Sequence, residues 1–159
     1  MATVVDSSRS NRLATLAEVH EAVRAELGVK LFTILAFTDG GRTLRRIYSS
    51  HSQQYPVGGS KDVASAVAAD WVTRCRDEQA PYFGPTGDDV RRIFTDSALI
   101  ESLGCSSIIN VPVVRHGVSI GALNILDAEG TYSDVHVEKA LGIAQRAGEI
   151  VEQTIGELP

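Results

Sequence analysis

Apolar residues from Leu13 to Leu27 recur at intervals of three and four (Leu13, Leu16, Ala17, Val23 and Leu27, with His20 on the same stripe), which predicts a first helix. Ser10 or Asn11 is the expected cap. Gly28 is the expected stop, because the left-handed residue that closes a helix is least strained as glycine. Leu31 to Thr38 (LFTILAFT) is a nearly unbroken apolar run that predicts a buried strand. Asp39-Gly40-Gly41 is turn chemistry, and Thr43 to Ser50 reads as the returning strand of a hairpin. Residues 51 to 60 form a loop with Pro56, Gly58 and Gly59, and the stretch from Asp62 to about Glu78, with Trp71 near its centre, predicts a second helix. Pro81-Tyr82-Phe83 is a short strand. Gly84 to Gly104 is the least regular part, with short helices expected around Asp89 to Phe94 and Ser97 to Leu103, the second closed by Gly104. Ser106 to Val114 and Val118 to Leu126 pair as a hairpin across Arg115-His116-Gly117. Ser133 then caps a last helix whose buried stripe includes Val137, Leu141, Ala144, Val151 and Ile155. Strands joined by hairpins imply an antiparallel sheet with helices packed on it.

The 159 residues fit one domain, since a chain of this length buries about 70% of its unfolded surface without staples. A net charge of −5 argues against a nucleic-acid partner, which requires a broad basic face. The arginines at 42, 45, 46, 91 and 92 fall in short clusters, suited to a solvated surface or to anchoring a small anion. Residues 1–9 are polar and expected to be flexible, and no apolar run approaches the ~20 residues that span a membrane. Cys75 and Cys105 form neither a disulfide framework nor a CxxC pair, which suits the cytoplasm. The histidines show no metal-ligand spacing, so no metal is expected, and no cofactor is evident.

Ser107 to Val113 (SIINVPV), a turn, and Ile120 to Leu126 (IGALNIL) resemble the most recognisable stretch of GAF domains. There a serine, an apolar run and Val-Pro precede a turn and an Ile-Gly-x-Leu strand. Thr131-Tyr132-Ser133-Asp134 is similar to the family's opening of the last helix, and Ala69 to Phe83 to its second helix and following strand. Order and spacing together carry the resemblance, from about residue 10 to 156. It implies an α/β (α+β) fold of GAF/PAS-like type over residues 10–157. A central antiparallel sheet of about five to six strands would carry the first and last helices on one face. On the other, residues 84–104 would form a lid of short helices over a ligand pocket. Pockets of this family hold cyclic nucleotides, tetrapyrroles, haem, 2-oxo acids or other metabolites, and fold similarity does not choose among them.

Strand alternation places Ile108, Asn110 and Pro112 on one side of their strand, and Ala122, Asn124 and Leu126 on one side of the next. Asn110 and Asn124 are the polar interruptions. A buried amide needs partners for its donors and its acceptor, and a ligand, the other amide, backbone or water can supply them. The resemblance turns this side toward the pocket, which makes Ile108, Asn110, Ala122 and Asn124 candidate ligand-binding residues. The lid adds Arg91, Phe94, Thr95 and Ser97, where an arginine could clamp an anion or simply solvate a helix. Tyr82 and Trp71 add aromatic surface, as core or as ligand stackers. Catalytic chemistry would fall to Cys105, His51 or Asp96. Cys105 follows the C-terminal end of a predicted helix, where the dipole opposes a thiolate, and it reads as an inert buried thiol. His51 and Asp96 have no partner fixed by spacing.

Two function classes stay open. One is a cytoplasmic sensor of a small polar or anionic metabolite, acting through a separate output protein and dimerising through the first and last helices. The other is a small stand-alone enzyme that transforms such a metabolite. The free methionine-R-sulfoxide reductases of the family use cysteines in and near the lid and acidic side chains in the last two strands. Here Ile108, Asn124 and Leu126 stand at those strand positions, and Cys105 lies closer to Val-Pro than that nucleophile, so that activity is not expected.

Overall fold

The computed structural model describes residues 11–95 and 97–159. The expected flexible start, and the expected cap Ser10, lie outside the described residues. Helix α1 (Leu16–Glu26) is capped not by Asn11 but by Thr15, whose hydroxyl accepts a hydrogen bond from the Glu18 N–H at 3.1 Å. The reason is tertiary. The Leu13 N–H donates to the Arg146 carbonyl at 3.0 Å, and the Arg146 Nε donates to the Asn11 carbonyl at 2.7 Å. Those bonds hold residues 11–13 against the last helix and delay the first. Gly28, at φ +80°, ends α1 as expected, its N–H reaching the Val23 and Arg24 carbonyls.

Strands β1 (Leu31–Thr38) and β2 (Thr43–Ser49) form the first hairpin. Three further residues, Ser60–Asp62, form strand β3 against β2, between the end of the expected loop at residue 60 and the expected helix start at Asp62. The single helix expected from Asp62 to about Glu78 is instead three pieces. They are α2 (Val63–Ala66), α3 (Ala69–Val72), and a π-helical turn, Thr73–Asp77, that continues α3. Val67 and Ala68 between them are extended because Val67 bridges Phe94 and the Ala68 N–H donates to the Ile93 carbonyl. Long-range pairing overrides a locally helical run. There follow β4 (Tyr82–Gly84), α4 (Gly87–Ile93), α5 (Ser97–Ser102), β5 (Ser107–Arg115), β6 (Val118–Asp127) and α6 (Asp134–Gly156).

The six strands form one antiparallel sheet in the order β3-β2-β1-β6-β5-β4. Helices α1 and α6 cover one face, burying Val19, Val23, Ile143 and Val151 against Phe32, Ile34, Val111 and Leu123. The other face carries Leu31, Leu35, Ile108 and Leu126 beneath Trp71, Ile93 and Ile100. Each such side chain contributes about 1.5–3 kcal/mol on burial, so both layers are needed to hold the sheet. Among the described residues no helix is long and apolar enough to cross a membrane.

His20 is a titratable side chain packed against the helix-covered layer. Its ring stacks on Phe32 with centroids 5.3 Å apart, and its Nδ1 lies 2.8 Å from the Tyr48 hydroxyl. Burial holds its pKa below the ordinary 6.5, opposed by Glu21 and reinforced by Arg24 and His51. The unfolded chain therefore takes up this proton more readily than the folded one. The contribution is complete above the unfolded pKa and is lost as pH falls below it. Urea unfolding at pH 7.5 and 5.5 is expected to show a larger loss for the wild type than for His20→Gln; equal losses would count against this assignment.

Candidate functional site

On the face away from α1 and α6, alternation along β1 brings Leu31, Thr33 and Leu35 to one side, and Asn124 and Leu126 of β6 lie beside them. Thr33 stands opposite Asn124, and Asn124 opposite Asn110, so three buried polar residues form a ladder across β1, β6 and β5. Asn110 Nδ2 donates to Asn124 Oδ1 at 2.5 Å, and Asn124 Nδ2 donates to Thr33 Oγ1 at 3.1 Å. Asn110 Oδ1 is left buried without a partner among the described residues.

Above this floor lies a cavity of about 60 Å³. Its roof comes from Ala66 of α2, Val67, Phe94, and Ile100 of α5; its wall from Leu44 and Arg46 of β2, Lys61 of β3, and Tyr55 and Gly59. The wall is built by the chain folding back on β2. Arg46 N–H donates to the Gly59 carbonyl at 3.1 Å, Gly58 N–H to the Arg46 carbonyl at 2.9 Å, and the Arg46 guanidinium lies 3.5 Å over the Tyr55 ring. Its Nη1 also donates to the Pro56 carbonyl at 2.8 Å. A capping box starts α4: Thr86 Oγ1 accepts from Asp89 N–H, and Asp89 Oδ2 accepts from Thr86 N–H. That helix ends at Phe94, whose extended backbone lets it bridge Val67 and close the roof.

This geometry has relatives among solved structures. The chain is similar to the GAF domain of a phosphoenolpyruvate-protein phosphotransferase from Coxiella burnetii, with a TM-score of 0.72 over 95% of this chain and 90% of that one, at 11% identity. The chain has a GAF domain fold. The GAF domain/HD domain protein from Geobacter sulfurreducens is similar at a TM-score of 0.69 (11% identity, 88% of this chain, 91% of that). The GAF-B domain of DevS from Mycobacterium smegmatis is similar at 0.60 (11% identity, 87% and 91%). No protein-family model and no curated protein matches the sequence. Identities this low speak for the GAF fold alone.

Within the GAF fold, the residues expected at the site are distributed unevenly. Asn124 and Phe94 line the cavity. Asn110 lies behind Asn124, fully buried, while Ile108 and Ala122 sit in the same sheet layer without lining it. Trp71 packs between Phe37 and Phe94, ring centroids 6.2 and 6.1 Å away. Tyr82 donates to Asp70 Oδ2 at 3.3 Å and is met by Arg92, away from the cavity. Arg91 turns outward to Asp88 and Glu101. Thr95 ties the lid to the Ala66 carbonyl through its N–H at 3.4 Å, and Ser97 opens α5. His51 does not line the cavity; its Nδ1 lies 2.9 Å from the Ser50 hydroxyl. Asp96 lies outside the described residues.

The thiols are held as neutral acids. Burial pushes Cys105 up to about 11, with Asp127 adding to the shift and Lys30 opposing it. Burial pushes Cys75 up to about 12, opposed by Arg74. Neither is a thiolate at neutral pH, so neither can serve as an activated nucleophile in this conformation. Among the described residues no group of three or more His, Cys, Asp or Glu is placed to hold a metal ion.

The expected site omitted the β1–β2 half of the cavity: Leu31, Thr33, Leu35, Leu44 and Arg46. For β1 the signal was available. Thr33 interrupts the apolar side of its strand in the way that Asn124 interrupts β6. Tyr55 and Lys61 had no periodic signal, because a loop and a three-residue strand place them.

Proposed function

We propose that this domain is a sensor that binds a small metabolite in the cavity over Thr33 and Asn124. The observation that carries the reading is the cavity's position. Its floor is β1 and β6, and the opposite faces of those two strands hold α1 and α6. A ligand that orders the roof therefore presses on the same strands that seat the helices, and binding can bias helix packing by a population shift. The solved structures with this fold include the GAF domain of a two-component sensor histidine kinase from Bacillus halodurans and a far-red cyanobacteriochrome photoreceptor, which supports a sensory role. The reading includes a homodimer through the outer surfaces of α1 and α6 and an output protein that receives the signal in the cytoplasm.

The test is a thermal-shift screen of the purified protein against cyclic nucleotides, 2-oxo acids, amino-acid sulfoxides, aliphatic acids and aromatic acids, with each hit recovered for mass spectrometry. At 100 times its dissociation constant a ligand stabilises by about 2.7 kcal/mol. That corresponds to a shift of roughly 5–10 °C at ~2–4 °C per kcal/mol. A hit recovered unchanged is expected. A hit recovered as product would replace the sensor with an enzyme, and the lack of any hit would remove the reading.

A further inference from the structure

The cavity has two coverings of unequal strength. Its roof is tied across by backbone: Val67 bridges Phe94, the Ala68 N–H donates to the Ile93 carbonyl at 2.9 Å, and the Thr95 N–H donates to the Ala66 carbonyl at 3.4 Å. Ala66, Val67, Ile93, Phe94 and Ile100 are all buried, so lifting the roof would expose much of the apolar layer on that face. The side wall is different. Residues 51–59 run as a strap between β2 and β3, and Tyr55 alone among them is buried. Both ends of the strap are fixed. The Ser50 N–H donates to the Phe32 carbonyl, the Phe32 N–H donates to the Ser50 hydroxyl, and Ser60 of β3 pairs with Arg45. The middle returns to one residue of β2. Gly58, at φ +96°, turns the chain so that its N–H reaches the Arg46 carbonyl at 2.9 Å. The Arg46 guanidinium lies 3.5 Å over the Tyr55 ring, and its Nη1 donates to the Pro56 carbonyl at 2.8 Å. Tyr55 and Gly59 line the cavity directly. A segment with one buried side chain among exposed neighbours opens at a lower free energy than a packed layer does.

We propose that residues 51–59 are the gate of the cavity, with Tyr55 as its plug and Arg46 as its latch. Opening breaks the guanidinium–ring contact and the bond to Pro56, and swings Tyr55 outward about Gly58 and Gly59. The roof and the strands of the floor stay in place. Entry and response then fall to different parts of the fold: the ligand passes the strap, and the roof over β1 and β6 is left to respond to it. Arg46 is a positioning residue in this arrangement, engaged by the strap rather than by the ligand. The assignment rests on the sensor reading of the same cavity and adds how access to it is controlled.

The experiment places a thiol on the cavity floor with Thr33→Cys and follows its labelling by methyl methanethiosulfonate at pH 7.5, with each site read by peptide mass spectrometry. Cys75 and Cys105, buried in the roof layer, are internal controls that react only when the roof lifts or the chain unfolds. The floor thiol is expected to label faster than either. Adding Arg46→Met keeps the length of the side chain and removes its charge and its donors. It is expected to speed labelling of the floor thiol about ten-fold, the scale of one cation–π contact with its hydrogen bond, and to leave Cys75 and Cys105 unchanged. Arg46→Lys is expected to recover part of the protection, and Tyr55→Ala to lose at least as much as Arg46→Met. Should Thr33→Cys fail to fold, hydrogen exchange in the Arg46→Met variant reads the same event. The Gly58 amide is then expected to exchange about ten-fold faster, and the Ala68 and Thr95 amides at their former rates. A floor thiol indifferent to Arg46→Met, or three thiols accelerating together, would overturn the gate. Labelling needs no ligand, so the two readings fail separately. If Arg46→Met acts as expected and no compound binds, the sensor falls and the strap remains the opening segment of the cavity. If a compound binds and the floor thiol ignores Arg46→Met, the gate alone falls.

Discussion

Replacing Gly121 with alanine is expected to destabilise the protein by about 3 kcal/mol or more, and replacing it with valine to prevent folding. Gly121 sits in β6 between Ala36 of β1 and Val113 of β5, at the centre of the sheet. A Cβ built there would fall deep inside the van der Waals envelope of the Leu35 carbonyl oxygen and close to the Ala36 Cα. The obstacle, the Leu35 carbonyl, is backbone. No side chain can swing aside, so β1 and β6 would have to separate and weaken the hydrogen bonds that pair them. Gly142, in α6, is the matched control, because a Cβ there meets nothing within 4 Å. Alanine at 142 is expected to be neutral or to stabilise by up to about 1 kcal/mol, from its better helix propensity. Urea midpoints of the two alanine variants check the contrast. A Gly121→Ala variant as stable as the wild type would mean that the two strands approach less closely than described.

The second large effect is at Trp71. It is the largest fully buried side chain and joins α3 to Phe37 of β1 and to Phe94 of the roof. Trp71→Ala is expected to cost about 3–5 kcal/mol, since it removes both the transferred surface and the atoms that fill the space. Trp71→Phe should cost considerably less than its lost volume suggests. The indole Nε1 is buried without a partner among the described residues, and a phenyl ring removes that unpaired donor, which offsets about 1–3 kcal/mol of the loss. Denaturant titration of the two variants gives the order. If phenylalanine were as damaging as alanine, the indole N–H would have a partner. The chain has one tryptophan, so its fluorescence also reports directly on the roof, and ligand entry beside Phe94 should change its emission.

Much of the fold was legible because the pattern of the chain agrees with its tertiary environment. Leu31–Thr38 was read as a strand to the residue, since both of its faces are buried and little else competes for an apolar run of that length. The faces of β5 and β6 also follow from alternation, which puts Asn110 and Asn124 among the residues of one face each, and the register that sets them opposite one another comes from the sheet. The misreadings share a cause. Residues 62–78 have helical spacing, but bonds from Ile93 and Phe94, more than twenty positions away, pull Val67 and Ala68 into extended backbone. Thr15 replaced Asn11 as cap for the same reason, since Arg146 holds the preceding residues. The candidate site suffered most where a residue's role depends on another segment folding over it. Arg91 and Tyr82 are in the expected region, yet local partners turn them outward, whereas Arg46 faces the cavity because residues 55–59 wrap around it.

The two outermost strands, β3 and β4, are three residues each. An open sheet ends in unpaired N–H and C=O groups that can template a strand from another molecule, and the hazard grows with the length of the exposed edge. Here β3 is wholly solvent-exposed and carries Lys61 and Asp62, while Pro81 stands directly before β4. An incoming chain would find only a few backbone groups on either side, with charges on one edge and a residue lacking an N–H beside the other. The sheet can keep long, apolar central strands while its two short outer strands offer little template for edge-to-edge pairing.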